Sequence, residues 1–241
     1  MSSRHTILIA GLISFLVPTS LAAEHPISVI MTVRTSHGIY GDASRNTTLN
    51  TGLRYYGRNW NITANVPYTY RSRSGFEDVR GPGNLYLYGF SRLTGNPHSR
   101  LQTSILTQLK IPWGVSESRL TSNSWDGGVG IGASIASGHW RVFSDLGYQV
   151  LGLTRDSTSI STISLGAGVG RLFARGRTSA SLYYKSHTSI YEGFEPPRQI
   201  TGAGYFRLGN SGFLTLLIGW GLSEGSPAQS YSLGFTHYIQ I

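Results

Sequence analysis

The chain has 241 residues, among them 31 Gly, 14 Tyr, 9 Phe, 5 Trp and no Cys, and only 13% of it is charged, about half the ~25% usual in soluble domains. Twenty basic residues against 11 acidic ones leave a formal charge of +9. The abundant aromatics exclude a charge-rich disordered chain, the missing cysteines exclude a disulfide framework or a Cys-ligated metal centre, and no G-x-y or heptad period supports a collagen or a coiled coil.

Arg4 and His5 precede an apolar run from Thr6 to Val17, followed by Pro18-Thr19-Ser20-Leu21-Ala22-Ala23. A short basic region, an apolar core and small residues before a cut describe a secretory signal peptide, residues 1–22, cleaved after Ala22. The alternative, a single membrane anchor, needs about 20 apolar residues, and this run is shorter. No second run of that length follows, so a mature chain of residues 23–241 that enters a membrane does so with strands.

Period-2 alternation then dominates. Trp60, Ile62, Ala64, Val66, Tyr68 and Tyr70 alternate with Asn61, Thr63, Asn65, Pro67, Thr69 and Arg71. Tyr231, Leu233, Phe235, Ile239 and Ile241 alternate with Ser232, Gly234, Thr236, Tyr238 and Gln240. Strand-like segments are predicted at 27–35, 47–57, 60–71, 85–93, 100–113, 125–135, 139–151, 160–173, 177–187, 200–208, 213–221 and 230–241. Short connectors take turns with longer polar ones, at 36–46, 72–84, 114–124, 152–159, 188–199 and 222–229. Tight turns at one end and longer loops at the other are expected of an outer-membrane barrel.

Alternation alone does not say which face looks outward, and a lipocalin-like soluble barrel would put the apolar set inside. Three features favour the membrane: an even strand number larger than a small soluble barrel needs, polar faces made of Gly and Ser that would leave a soluble barrel little surface charge, and aromatics near strand ends. Trp60, Tyr70, Trp140, Tyr148 and Trp220 suit headgroup girdles. The expected fold is all-β, a transmembrane antiparallel up-and-down β-barrel of about 12 strands in the outer membrane of a Gram-negative bacterium. The chain stops on a strand at Ile241, similar to the C-terminal signal read by the barrel-assembly machinery, although the usual terminal aromatic is absent.

Three stretches carry a family resemblance. Gly81-Pro82-Gly83-Asn84-Leu85-Tyr86-Leu87-Tyr88-Gly89-Phe90-Ser91-Arg92-Leu93 resembles the glycine-aspartate strand opening of the transporter-like barrel family named for the MetA pathway of phenol degradation. Leu109-Lys110-Ile111-Pro112-Trp113-Gly114 is similar to that family's Lys-x-Pro-Thr-Gly strand end, and Trp140 to Tyr148 to its Trp-…-Asp-…-Gly-Tyr strand. Asn84 stands where the family has Asp, and Trp113 where it has Thr. The resemblance covers residues 60–150 and implies an outer-membrane protein that passes small molecules. It fixes no substrate.

With the apolar sets facing lipid, Arg54, Arg92, Lys110, Arg141 and Lys185 face the lumen, with Asp145 as the clearest internal acid. A lumen lined by cations focuses anions. The alternative is that these charges pair with one another and fill a narrow interior, so an open path and a nearly closed or substrate-gated lumen both stay open. Strand 139–151 points His139, Arg141, Phe143, Asp145 and Gln149 inward, flanked by glycine rows Gly128, Gly130, Gly132 and Gly166, Gly168, Gly170. Such rows leave a furrow where large side chains lie flat and an anionic or aromatic solute would bridge Arg141 and Asp145; the plainer reading is that the glycines relieve crowding or bend the sheet.

Catalysis is not expected. The histidines show no metal-ligand spacing, His139 and Asp145 are too far apart along one strand to act as a pair, and no cofactor or metal is called for. A structural or adhesive surface barrel is the main alternative to transport, and a lipid-modifying enzyme a remote one. Arg71, Arg73 and Arg80 are expected in outer loops, where they would meet lipopolysaccharide phosphates or simply be solvated, and Glu192 and Glu195 in another loop. Nucleic acid is not an expected partner, because the basic residues are spread through strands rather than clustered.

Overall fold

The computed structural model describes residues 27–39, 42–95, 99–113, 120, 123–153, 160–188 and 195–239. Residues 1–22, expected as a leader, Glu192 and the terminal Ile241 lie outside these residues.

Among the described residues thirteen strands follow one another: β1 Ile27–Ile39, β2 Asp42–Tyr56, β3 Trp60–Arg73, β4 Val79–Pro82, β5 Leu85–Thr94, β6 Leu101–Ile111, β7 Trp125–Ser137, β8 Trp140–Leu153, β9 Ile160–Phe173, β10 Thr178–His187, β11 Arg198–Leu208, β12 Gly212–Gly221 and β13 Gln229–Ile239. A 3-10 turn, Ala174–Gly176, joins β9 to β10. Every neighbouring pair is antiparallel, and β1 pairs with β13 from Ile27–Ile239 to His37–Gln229, which closes the ring.

β4 and β5 make one stave of that ring. Both pair with β3, β5 through Trp60 to Asn65 and β4 through Tyr68 to Arg71, with Gly83-Asn84 as a bulge between them. The barrel therefore has 12 staves. An extra residue that bends one strand without ending the ladder is what a bulge does.

The period-2 pattern sorts the side chains. Val33, Ile131, Val142, Leu165 and Leu233 point outward with about half of their surface exposed, on every side of the ring. Such a continuous apolar exterior is the lipid-facing band of a membrane barrel. Rings border it: Tyr55, Trp60, Trp140, Phe173, Phe206 and Phe235 toward the short-turn end, Tyr70, Trp125, Tyr148, Tyr184, Trp220 and Tyr231 toward the loop end. Arg171 lies 5.2 Å over Trp140 and 5.1 Å over Phe173, so its charge rests on the short-turn girdle.

Turn chemistry explains the short end. Gly138 and Gly209 take φ of +57° and +63°, a left-handed conformation that a side chain disfavours, directly after β7 and β11.

Boundaries differ from the sequence expectation in three places, one of them the expected loop 72–84, where β3 runs on to Arg73 and β4 adds four residues paired with β3. The polar stretch 36–46 was expected as a long loop, but β1 runs to Ile39 and β2 starts at Asp42, with Ser36–Asn46 and His37–Arg45 still paired. Apolar alternation fades there because both faces of the ladder are polar, while the backbone bonds continue. His139 sits in the exposed turn before β8, not on its inward face.

Candidate functional site: the barrel lumen

The inward face of each strand is set by register. Across β1, β2 and β3, Ser28–Arg54–Thr63 and Arg34–Thr48–Thr69 are successive partners. Around the opposite wall, Lys110–Asp126 and Asp145–Gly166–Lys185 are partners in the same way. Within the strands, and among described side chains, the inward positions carry Arg34, Arg54, Arg71, Arg92, Lys110, Arg141, Lys185 and Arg207, with Arg73 on the same parity at the exposed rim, against Asp126 and Asp145. Nine cations and two carboxylates leave an excess of seven positive charges.

Five members of this set go beyond the sequence expectation, among them Arg207 on β11, opposite the buried Phe213. Arg34 faces inward on β1, in step with Thr32 and Ser36. Arg71, expected in a loop, lies on the inward face of β3 opposite Asn46, and Arg73 and Arg80 likewise belong to strands β3 and β4. Asp126 is a second internal acid, only 3% exposed. It shares parity with Gly128, Gly130 and Gly132, and that signal would have found it.

Both acids are held. Lys110 Nζ lies 2.6 Å from Asp126 Oδ2, and the Gly152 N–H donates to Asp126 Oδ1 at 2.8 Å. Asp145 accepts a 2.5 Å hydrogen bond from the Tyr183 hydroxyl and has Lys185 Nζ at 3.6 Å, a Coulombic contact longer than a hydrogen bond. Lys185 reaches Asp145 across Gly166, because no side chain stands between them. A Cβ at Gly166 would overlap the Tyr183 hydroxyl and Asp145 Oδ2, and one at Gly168 would come within 2.6 Å of Phe143 Cζ. The β9 glycines thus make room for the stacked Phe143 and Tyr183 rings, 5.8 Å apart, and for the ion pair. This fills the expected furrow on the β9 side: Asp145 turns to Lys185 and Tyr183, away from a bridge to Arg141. Arg141 instead feels the charge of Arg92 across the small inward residues of β6 and β7.

Toward the short-turn end lies an aromatic cluster that the sequence reading did not single out. Tyr205, Phe213 and Tyr238 are buried inside the barrel with Tyr56 packed against them. Tyr205 and Phe213 stack at 4.8 Å, Phe213 meets Tyr238 edge-on at 5.4 Å, and Tyr56 stacks on Tyr238 at 5.6 Å with their hydroxyls 3.1 Å apart. Arg54 anchors the group: its Nε donates to Thr63 at 2.8 Å and its Nη1 to Tyr56 at 3.2 Å. These rings narrow one end of the lumen on the β11–β2 side.

Beside the cluster the lumen keeps an open pocket. Tyr88, Phe90, Gln108 and Gln149 line it, Arg54 and Asp145 reach it, and Gly128, Gly130 and Gly147 form part of its wall. Of the two glycine rows, the β7 one therefore borders open volume and the β9 one borders packed side chains. Gly132 and Gly170 are buried at neighbouring inward positions.

The motif residues gather at the loop end. Asn84, 2% exposed in the bulge, accepts a 3.3 Å bond from the Trp113 N–H through its Oδ1. The two positions that depart from the family pattern, Asn84 and Trp113, are thus in direct contact. Their contact secures the loop end above Lys110.

This architecture has solved counterparts. The fold is that of outer-membrane barrels. The COG4313 outer membrane channel from Pseudomonas putida F1 superposes with a TM-score of 0.69 at 13% identity, over 89% of this chain and 96% of the other. The NanC porin gives 0.57 at 9% identity over 88% and 100%, and the translocator domain of autotransporter NalP from Neisseria meningitidis 0.54 at 12% over 89% and 88%. No protein-family model matches the sequence, and no curated protein is similar to it. At these identities the likeness establishes a barrel of the outer-membrane kind, with channels and porins among its counterparts.

Proposed function

We propose that this chain is an outer-membrane channel that passes small solutes and prefers anions. The observation that carries the reading is the lumen charge: nine basic side chains against two carboxylates at inward positions of the described strands, both carboxylates already engaged by lysines. In a narrow, low-dielectric passage such an excess raises the local concentration of anions and repels cations. The channel and porin counterparts of the fold support the transport part of the reading. The aromatic cluster around Phe213 favours a restricted, solute-gated lumen over a wide water-filled pore.

In this reading residues 1–22 direct export, the barrel-assembly machinery inserts the mature barrel into a Gram-negative outer membrane, and Arg73 and Arg80 at the loop end face lipopolysaccharide. The test is the reversal potential of the purified, refolded barrel in a planar bilayer under a KCl gradient. It should take the sign of chloride selectivity, and Arg92→Glu with Arg141→Glu should move it toward potassium. A barrel that conducts without chloride preference would remove the anion reading, and one that never conducts would remove the channel.

A further inference from the structure

The exposed charges of the described residues divide unevenly between the two ends of the barrel. At the loop end Arg45, Arg73, Arg80 and Arg198 are matched by Glu77, Asp78, Glu195 and Glu224. At the short-turn end Arg58, Arg100, Arg171 and Arg177 are exposed with no carboxylate among them. The cause is compositional: the connectors 57–59, 95–100, 138–139, 174–177 and 209–211 contain no Asp or Glu. The same end gathers the inward Arg54, Arg92, Arg141 and Arg207, each within three residues of a short connector, which adds to its positive potential.

The four exposed arginines are held at one depth. Connectors of two to six residues cannot carry them far from the aromatic girdle. Arg58 stands two residues before Trp60, and Arg171 two before Phe173. The Arg100 carbonyl accepts from the Ala136 N–H at 2.7 Å, next to Ser137, the partner of Trp140. Arg177 precedes Thr178, which is level with Phe173 on one side and Phe206 on the other. At about 3.3 Å of rise per residue, each of the four lies within about 7 Å of a girdle position in the strand direction. Girdle rings sit at headgroup level, so these guanidiniums reach the phosphate layer. Arg171 is the best placed, outward on β9 with its charge over the Trp140 and Phe173 rings. A soluble partner protein would need groups that project beyond the headgroups, and connectors this short do not supply them.

We infer that the short-turn end is a docking surface for anionic phospholipid. Phosphodiester oxygens of the adjoining leaflet accept from Arg58, Arg100, Arg171 and Arg177, whose planar forks match them. Anionic headgroups are preferred over zwitterionic ones, because the latter bring a cation of their own to a belt that holds no carboxylate to receive it. The surface is independent of what the lumen passes.

Trp60 and Trp140 stand at this end, and Trp113, Trp125 and Trp220 at the other, so tryptophan fluorescence reads the two leaflets separately. The refolded barrel with Trp113→Phe, Trp125→Phe and Trp220→Phe is placed in vesicles that mix two lipids. Chain-brominated phosphatidylcholine quenches the tryptophans; unbrominated phosphatidylglycerol does not. Heat-modifiable gel mobility confirms that each variant is folded. The recovery of fluorescence with mole fraction gives the association constant of phosphatidylglycerol relative to phosphatidylcholine. It should be about fivefold, the factor that one cation contributes at an anionic surface. It should fall to near one when Arg58→Gln, Arg100→Gln, Arg171→Gln and Arg177→Gln are combined. It should also fall toward one in 1 M NaCl, where charges are screened beyond about 3 Å. The complementary barrel, Trp60→Phe with Trp140→Phe, reports the loop end, where the exposed charges are matched, and should stay near one. A constant near one at the short-turn end, equal preference at both ends, a folded Gln variant that keeps the parent's preference, or a preference undiminished by salt would each overturn the surface.

Discussion

Replacing Lys110 by Met strands a charge. Asp126 is 4% exposed at its side chain and Lys110 6%, with 2.6 Å between Nζ and Oδ2. At an effective dielectric of about 20, that separation corresponds to about 6 kcal/mol of attraction, against about 5 kcal/mol for the 3.6 Å Asp145–Lys185 pair. Most of it offsets the desolvation of both groups, so the pair itself is nearly neutral relative to a well-packed apolar pair. Lys110→Met removes the attraction and leaves the desolvated carboxylate with the Gly152 N–H, a loss of about 3–5 kcal/mol. Lys110→Met with Asp126→Leu should recover most of that loss. Urea unfolding of the refolded barrel in detergent, followed by tryptophan fluorescence, measures both. A single variant as stable as the parent, or a double variant as unstable as the single one, would refute the reasoning.

Gly166→Ala should cost about 2–3 kcal/mol in the same assay, because the new methyl must drive the Tyr183 hydroxyl off Asp145 while Phe143 blocks the ring's retreat. Equal stability would show that the Tyr183 contact is slack. Phe213→Ala should destabilise the barrel by about 3–5 kcal/mol and raise its conductance, since it removes the centre of the ring cluster at the short-turn end; unchanged conductance would place the constriction elsewhere. At the loop end, hydrogen bonds from Tyr70 and Ser72 hold the exposed Asp78 carboxyl below its ordinary range. The clamp it makes is therefore present at neutral pH and lost only as pH falls through that lowered value. Pepsin cleavage beside the exposed Phe76 should stay slow at about pH 4 and quicken below it, and Asp78→Asn should abolish this dependence.

Much of the barrel was legible because lipid imposes a strict rule on one face of each strand. Wherever the two faces differ in polarity, as in Trp60–Arg71 or Tyr231–Ile239, alternation gives strand and orientation together. It fails where they do not differ. β12, Gly212–Gly221, is apolar on both faces, so Phe213 and Leu217 inside could not be told from Leu214 and Leu216 outside, and the ring cluster went unseen. The strand ends around Ser36 and Asn46 are polar on both faces and read as a loop. The lumen positions of Arg54, Lys110 and Lys185 follow from parity, but their partners do not. Parity says nothing about which residue on the next strand stands opposite, and that register joins Lys185 to Asp145 across a glycine and Lys110 to Asp126.

The ring cluster also bears on the order in which the barrel is made. Tyr56 comes from the first hairpin and Tyr238 from the last strand, 182 residues later, and they meet only across the seam where β1 joins β13. Between them Ser28 is fully buried, small enough to let the rings touch over it. During insertion, then, a half-built sheet has neither a closed wall nor this constriction, and both arrive in the same event. The last strand brings its own stopper, so the newly sealed cylinder is never a wide hole.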